Sequence, residues 1–172
     1  MNRTAVFVLA ASLAGVLHAQ SPVSSLVTQQ KNAFNNIKNN LQKAAEKMPE
    51  DAYSFKPSPE LQDFGQRVAH MAAMIGTCSR VKGGEPKQNL ATGKTSKGDL
   101  VAALKAALDE CTAAWETIND TTAMETMQGG RGGPATKIGT LIGNTIHANE
   151  TYGTMTVYMR LKGQVPPSSE GR

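Results

Sequence analysis

Aromatic side chains are scarce in this chain, at 5% of its residues with a single tryptophan, and they are not interleaved with any stripe of lysine or arginine. A surface that stacks bases and neutralises phosphates needs both features, so nucleic acid is excluded as the main partner. The formal charge of +4 and the pI near 9.1 come from basic residues scattered among acidic ones, which is ordinary solubility chemistry. Long apolar runs are missing too. The longest, Ala5 to Leu17, is roughly 13 residues, against the about 20 needed to span a bilayer, so no membrane span is expected after leader cleavage. Cysteine is limited to Cys78 and Cys111, and no serine or cysteine has histidine and acid partners at a recognisable spacing, which leaves no nucleophilic triad. Of three histidines, His18 falls in the leader and only His70 and His147 remain.

The amino terminus reads as a secretory signal. Arg3 supplies the positive start, Ala5 to Leu17 the apolar segment, and Leu17-His18-Ala19 a small residue suited to cleavage. A cut after residue 19 leaves roughly 150 residues, the size of one domain with an adequate core, and points to a secreted or periplasmic protein. Residues 20–165 are expected to form that domain, and 166–172 a disordered tail.

Periodicity predicts four long helices and no convincing strand. Val27, Gln30, Phe34, Ile37, Leu41, Ala44 and Met48 recur at spacings of three and four, with Ser21-Pro22 at the start and Pro49 as the stop. Residues 50–62 carry Pro57 and Pro59 without a period and read as a loop, anchored by Tyr53 and Phe55. Asp63-Phe64-Gly65-Gln66 is a capping box opening a second helix, whose stripe is Phe64, Val68, Met71, Ile75 and Cys78 and which closes at Arg80, Lys82 and Gly83. Ser96-Lys97-Gly98-Asp99 repeats the capping pattern for a third helix with the stripe Leu100, Leu104, Ala107, Leu108, Cys111, Trp115 and Ile118. The glycine-rich link 129–133 then leads to Pro134, expected in the first turn of a fourth helix that ends near Lys162-Gly163.

The cysteines bear on topology. Cys78 and Cys111 lie equally far into their helices, about 21 Å from each start. Parallel second and third helices put the two thiols level and able to bond, whereas an antiparallel hairpin separates them by about 15 Å along the axis. The connection 84–96 is long enough to cross the bundle. An up-down-down-up course with a Cys78–Cys111 disulfide is therefore favoured, and export makes the bond chemically reasonable. The alternative is two buried free thiols.

The segment from Lys47-Met48-Pro49-Glu50-Asp51-Ala52-Tyr53-Ser54-Phe55-Lys56-Pro57, the Phe64-Gly65-Gln66 turn ahead of Val68-Ala69-His70, and the tail Ile146-His147-Ala148-Asn149-Glu150-Thr151-Tyr152-Gly153 through Tyr158-Met159-Arg160-Leu161-Lys162-Gly163 and Val165-Pro166-Pro167 resemble the secreted branch of the DinB/YfiT-like superfamily. The resemblance spans nearly all of the chain after the leader. It implies an all-α four-helix bundle running up-down-down-up. It also implies a divalent metal, zinc, nickel or iron, held by one histidine of the second helix and a His-x-x-x-His pair of the fourth, with a small molecule as partner and pairing of two copies through their helices. His70 matches the second-helix ligand and His147 the first of the fourth helix, but Thr151 stands where the third histidine is expected. A neutral hydroxyl is a poor ligand for such metals, and Glu150, three residues after His147, is the nearest replacement donor.

The residues taken alone support a plainer reading. His70 is displaced by about 100° from its apolar stripe, and His147 lies further off, on a ridge with Asn144, Thr151, Thr154 and Tyr158, so both read as half-buried, hydrogen-bonded histidines. Asn149 and Tyr152 fall on the apolar side of the fourth helix, as buried polar contacts. Met71, Met74, Met155 and Met159 read as core. Gly93-Lys94-Thr95 lacks both the earlier glycine and the preceding strand of a phosphate-binding loop. Three classes remain: an exported metal-dependent enzyme acting on a small molecule as a thiol transferase or hydrolase, a binding module that has lost catalysis with the third histidine, and a structural or partner-binding protein of the cell envelope.

Overall fold

The computed structural model describes residues 24–129 and 133–171. The leader expected at 1–19 and the Ser21-Pro22 helix start lie outside them. The first helix, α1 (Leu26–Lys47), is capped by Ser25, whose hydroxyl accepts from the Thr28 amide. It buries Val27, Phe34, Ile37, Leu41 and Ala44, the expected stripe, and breaks at Met48-Pro49. A 3₁₀ turn, Glu50–Ala52, follows, and Tyr53 anchors the loop by donating its hydroxyl proton to the Ala45 carbonyl at 2.5 Å.

The second rod is in two pieces, α2 (Phe64–Ala72) and α3 (Ile75–Val81), where one continuous helix was expected. Between them Ala73 and Met74 accept tighter 3₁₀ geometry, with ψ near −17° and amides bonding three residues back to His70 and Met71. Hydrophobic spacing stays in phase through this tightening, so periodicity alone does not reveal it. Gly76 just beyond lets the Lys87 carbonyl come close, since a Cβ there would stand 2.9 Å from that oxygen. The capping box at α2 is present in both directions, Asp63 accepting from the Gln66 amide and Gln66 from the Asp63 amide.

The third rod, α4 (Lys97–Glu116), is capped by Ser96. After it comes a feature that the sequence pattern does not indicate: β1 (Thr126–Gln128) pairs antiparallel with β2 (Pro134–Thr136), in the register Thr126 to Thr136 and Gln128 to Pro134. Three-residue strands are too short to show a period of two. Pro134 is therefore in a strand rather than in the first turn of the last helix. Thr136 caps α5 (Lys137–Leu161) by accepting from the Gly139 amide, and Gly163, at φ 69°, follows its end.

The course is up-down-down-up, and individual contacts fix it. Cys78 is bonded to Cys111 with Cα atoms 4.9 Å apart, and Gly65, near the start of α2, faces Leu100, near the start of α4. Both pairs carry nearly the same sequence offset, so the second rod and α4 run parallel. In α1 against α4, Lys31 pairs with Glu116 while Lys97 donates to the Met48 carbonyl, which is antiparallel. Against the second rod, α5 meets Cys78 through Asn144 and the Gln62 carbonyl through Tyr158, again antiparallel. The shared core includes Phe34, Phe64, Trp115 and Tyr158, all at or below 1% exposure.

The carboxy-terminal segment, expected to be disordered, is docked instead. Pro167–Ser169 forms a 3₁₀ turn, and the Tyr152 hydroxyl accepts from the Ser168 amide and donates to its Oγ. Arg160 donates to Ser169, and Lys47 pairs with Glu170 at 2.6 Å. Small polar residues signal a coil in the sequence, but here buried tyrosine and exposed arginine and lysine side chains supply its partners.

Candidate two-histidine site

His70 lies in the last turn of α2 and His147 midway along α5. The antiparallel crossing brings them together, with the two Nε2 atoms 2.7 Å apart and the rings edge to face, centroids 4.9 Å apart at 83°. At that separation one nitrogen donates and the other accepts, so the pair accommodates a single proton between its rings. Desolvation by burial lowers the His70 pKa below its usual value, reinforced by the charges of His147 and then Arg67. Both side chains reach the surface, His147 at 50% exposure, on the flank of the bundle and hydrogen-bonded to each other, as the residues taken alone suggested.

Glu150 is close to His147, but on the other side of the ring. Its Oε2 is 3.6 Å from Nδ1, beyond a good hydrogen bond, while Nε2 faces His70. The carboxylate thus favours the tautomer with a proton on Nδ1 and leaves the Nε2 lone pair directed at His70. The carboxylate therefore stands on the Nδ1 side of His147, away from the Nε2 contact with His70. Thr151 is only 4% exposed and belongs to the packed side of α5. Tyr158 is buried as well, so the ridge assigned away from the core is partly inside it, while Asn149 is exposed and donates its amide to the Thr145 carbonyl. Tyr152 is buried as expected.

The donors present fit an open coordination sphere. Two imidazole nitrogens at about 2.0–2.1 Å from one ion, at angles of about 90–110°, stand about 2.8–3.4 Å apart, so these rings would separate by at most several tenths of an ångström, which exposed side chains allow. They do not complete a closed set. Among the described residues no group of three histidine, cysteine, aspartate or glutamate side chains is gathered that could hold an ion.

Beside His70 runs a groove that the sequence did not indicate. The connection between α3 and α4 folds back over α2, held by Asn89 donating to the Ala69 carbonyl and by the Lys87 amide donating to Ser79. It borders a shallow, open cleft of about 360 Å³ lined by His70, Gln66, Asn89 and Lys94, among others. A second cleft of about 260 Å³ continues it toward Tyr53 and Asp63. The only hint of this wall in the sequence was the length of the connection.

No protein-family model matches the chain, and no curated protein does. Solved structures do share its fold. A DinB-like protein from Bacillus cereus aligns with a TM-score of 0.67 at 19% identity, over 81% of this chain and 95% of that one. A DinB-like protein from Bacillus subtilis gives 0.65 at 21%, over 84% and 99%. A conserved protein from Enterococcus faecalis gives 0.64 at 13%, over 81% and 98%. The chain therefore has the DinB-like helical-bundle fold.

Proposed function

We propose that this protein is an exported DinB-like domain whose His70 and His147 bind a divalent metal ion in an open site, beside a groove that receives a small molecule. The observation that carries the reading is the convergence of two Nε2 atoms to 2.7 Å from helices far apart in sequence, at an accessible position next to that groove. Zinc, nickel or iron suits imidazole donors, and water would fill the positions that no side chain supplies. An ion held this way would polarise a bound carbonyl or activate a bound water or thiol. The chain's own residues do the rest. His70 and His147 hold the ion, Glu150 orients His147, and the wall of residues 84–96 positions the guest.

A second reading, a binding module without catalysis, is favoured by Thr151. That residue is packed into the bundle and offers only a hydroxyl where a third imidazole would be needed.

Calorimetric titration of the chelator-treated, untagged protein with Zn²⁺ and Ni²⁺ tests the proposal. Saturable one-to-one binding is expected, abolished by His70→Ala and by His147→Ala and weakened about tenfold by Glu150→Gln. Binding that survives in both alanine variants would overturn the site. Uptake by Thr151→His alone, with none by wild type, would select the second reading.

A further inference from the structure

We infer that the groove along α2 is a site for an anionic small molecule, with Lys94 and Gln66 holding its carboxylate or phosphate and the rest of the guest reaching toward the histidine pair. This rests on the small-molecule reading of the same site. The two clefts share Gln66, Ala69 and Lys94, so these residues form the waist between them, with His70 lining one and Asp63 the other.

The hydrogen bonds already made around the waist indicate the sign of the guest. Asn89 is already used, its amide on the Ala69 carbonyl and its oxygen on the Ala91 amide, and Thr92 donates to the Asn89 carbonyl. Gln66 spends its oxygen on the Asp63 amide, which leaves its Nε2 donor free toward the waist. The Lys94 ammonium, like those of Lys43 and Lys56, has neither a hydrogen bond nor an ion pair among the described residues, but unlike Lys56 and Lys43 it lines both clefts. Unused polar capacity at the waist is therefore donor capacity.

A second cation acts on His70, although it does not line either cleft. Arg67, one turn before His70, has a buried Nε with no hydrogen-bond partner and makes no ion pair among the described residues. It reinforces a positive field around the pair. Among the described residues Asp63 is the single acid lining the two clefts, and one of its carboxylate oxygens already accepts from the Gln66 amide. A guest with an acid group at Lys94 would meet an ammonium and an amide donor at an open, accessible surface, which is the charge-assisted arrangement that binds carboxylate and phosphate.

The test is an NMR titration of isotope-labelled, chelator-treated full-length mature protein with sodium succinate, sodium phosphate and neutral succinamide at constant ionic strength. Saturable shifts of the Gln66, Ala69, Thr92 and Lys94 amides are expected with at least one anion and not with succinamide. Which anion saturates at lower concentration identifies the acid group. Lys94→Gln should weaken binding about tenfold, whereas Lys137→Gln, on the hairpin side, should leave it unchanged. Absence of saturable shifts with both anions, or unaltered binding by Lys94→Gln, overturns the inference. Because the titration is metal-free, and His147→Ala should retain anion binding while losing the ion, failure here is distinguishable from failure of the metal site.

Discussion

Breaking the link between Cys78 and Cys111 should be the most damaging single perturbation of this bundle. The two residues are separated by 33 positions, and closing a loop of that length in the denatured chain contributes about 3–4 kcal/mol in the chain-entropy picture. Both side chains are also buried, at 0% and 1% exposure. The double variant Cys78→Ala/Cys111→Ala therefore loses sulfur packing as well, on the order of 1 kcal/mol per site. Its deficit against the oxidised wild type should be about 5–6 kcal/mol, a large part of the stability of a domain this size. Reduced wild type keeps both sulfurs and should lose only the cross-link portion, so the two measurements separate chain entropy from packing.

Urea unfolding followed by the fluorescence of buried Trp115 is the direct assay. The midpoint should fall for both forms, and the slope should rise, because an uncross-linked denatured chain is more expanded and exposes more surface. With about 2–4 °C per kcal/mol, reduction should lower Tm by about 10 °C. Oxidised and reduced wild type unfolding within about 1 kcal/mol of each other would refute the reasoning. So would two alkylatable thiols in native protein purified under oxidising conditions.

Two further perturbations follow from particular bonds. Tyr53→Phe removes the hydroxyl that caps the Ala45 carbonyl inside the bundle and should cost about 1–3 kcal/mol in chemical denaturation, with no change in slope; a cost near zero would mean the carbonyl finds another donor. Glu110 accepts hydrogen bonds from Lys87 and from Lys82, which hold its carboxyl below the ordinary glutamate value against the opposing effect of burial. A depressed folded value adds stability above the unfolded pKa and loses it as pH falls through the folded one, so Glu110→Gln should cost about 1 kcal/mol at pH 7 and progressively less below about pH 4.5. A pH-independent deficit would assign the effect to packing.

What the sequence revealed and what it concealed both follow from the physics of each signal. The stripes of α1 and α4 carry large apolar residues at helical spacing, and the Ser96 cap of α4 bonds the backbone locally, so nothing distant was needed to read them, whereas α1 begins at a Ser25 cap and not at the expected Ser21-Pro22. The disulfide was legible because two equal offsets along parallel rods constitute a tertiary constraint written in one dimension. By contrast, α5 buries Thr145 and Thr151 alongside Ala148 and Met155. Thr145 resolves its hydroxyl on the Leu141 carbonyl of its own helix, so a polar residue enters the core without weakening it. A hydrophobicity pattern counts such a residue as surface, and for that reason His147's ridge was displaced in the reading and Asn149 was drawn inside.

The candidate site shows the same division. The identity of His70 and His147 is local information, but their meeting depends on the antiparallel crossing of α2 and α5, and the role of Glu150 depends on which ring nitrogen it faces. A spacing of three residues places a carboxylate on the same helical face as an imidazole, yet it does not say whether it approaches Nε2 as a fellow ligand or Nδ1 as an orienting partner. Only the crossing decides, because His70 takes the Nε2 side. The groove depends on still longer-range packing, since its outer wall is a connection with no periodic signal, fixed over α2 by Asn89 and Ser79. Lys94 is at its waist because that connection must travel back along α2 to begin α4 parallel to it. The same demand that levels the two cysteines thus builds the wall beside His70, which ties the placement of any guest to the up-down-down-up course.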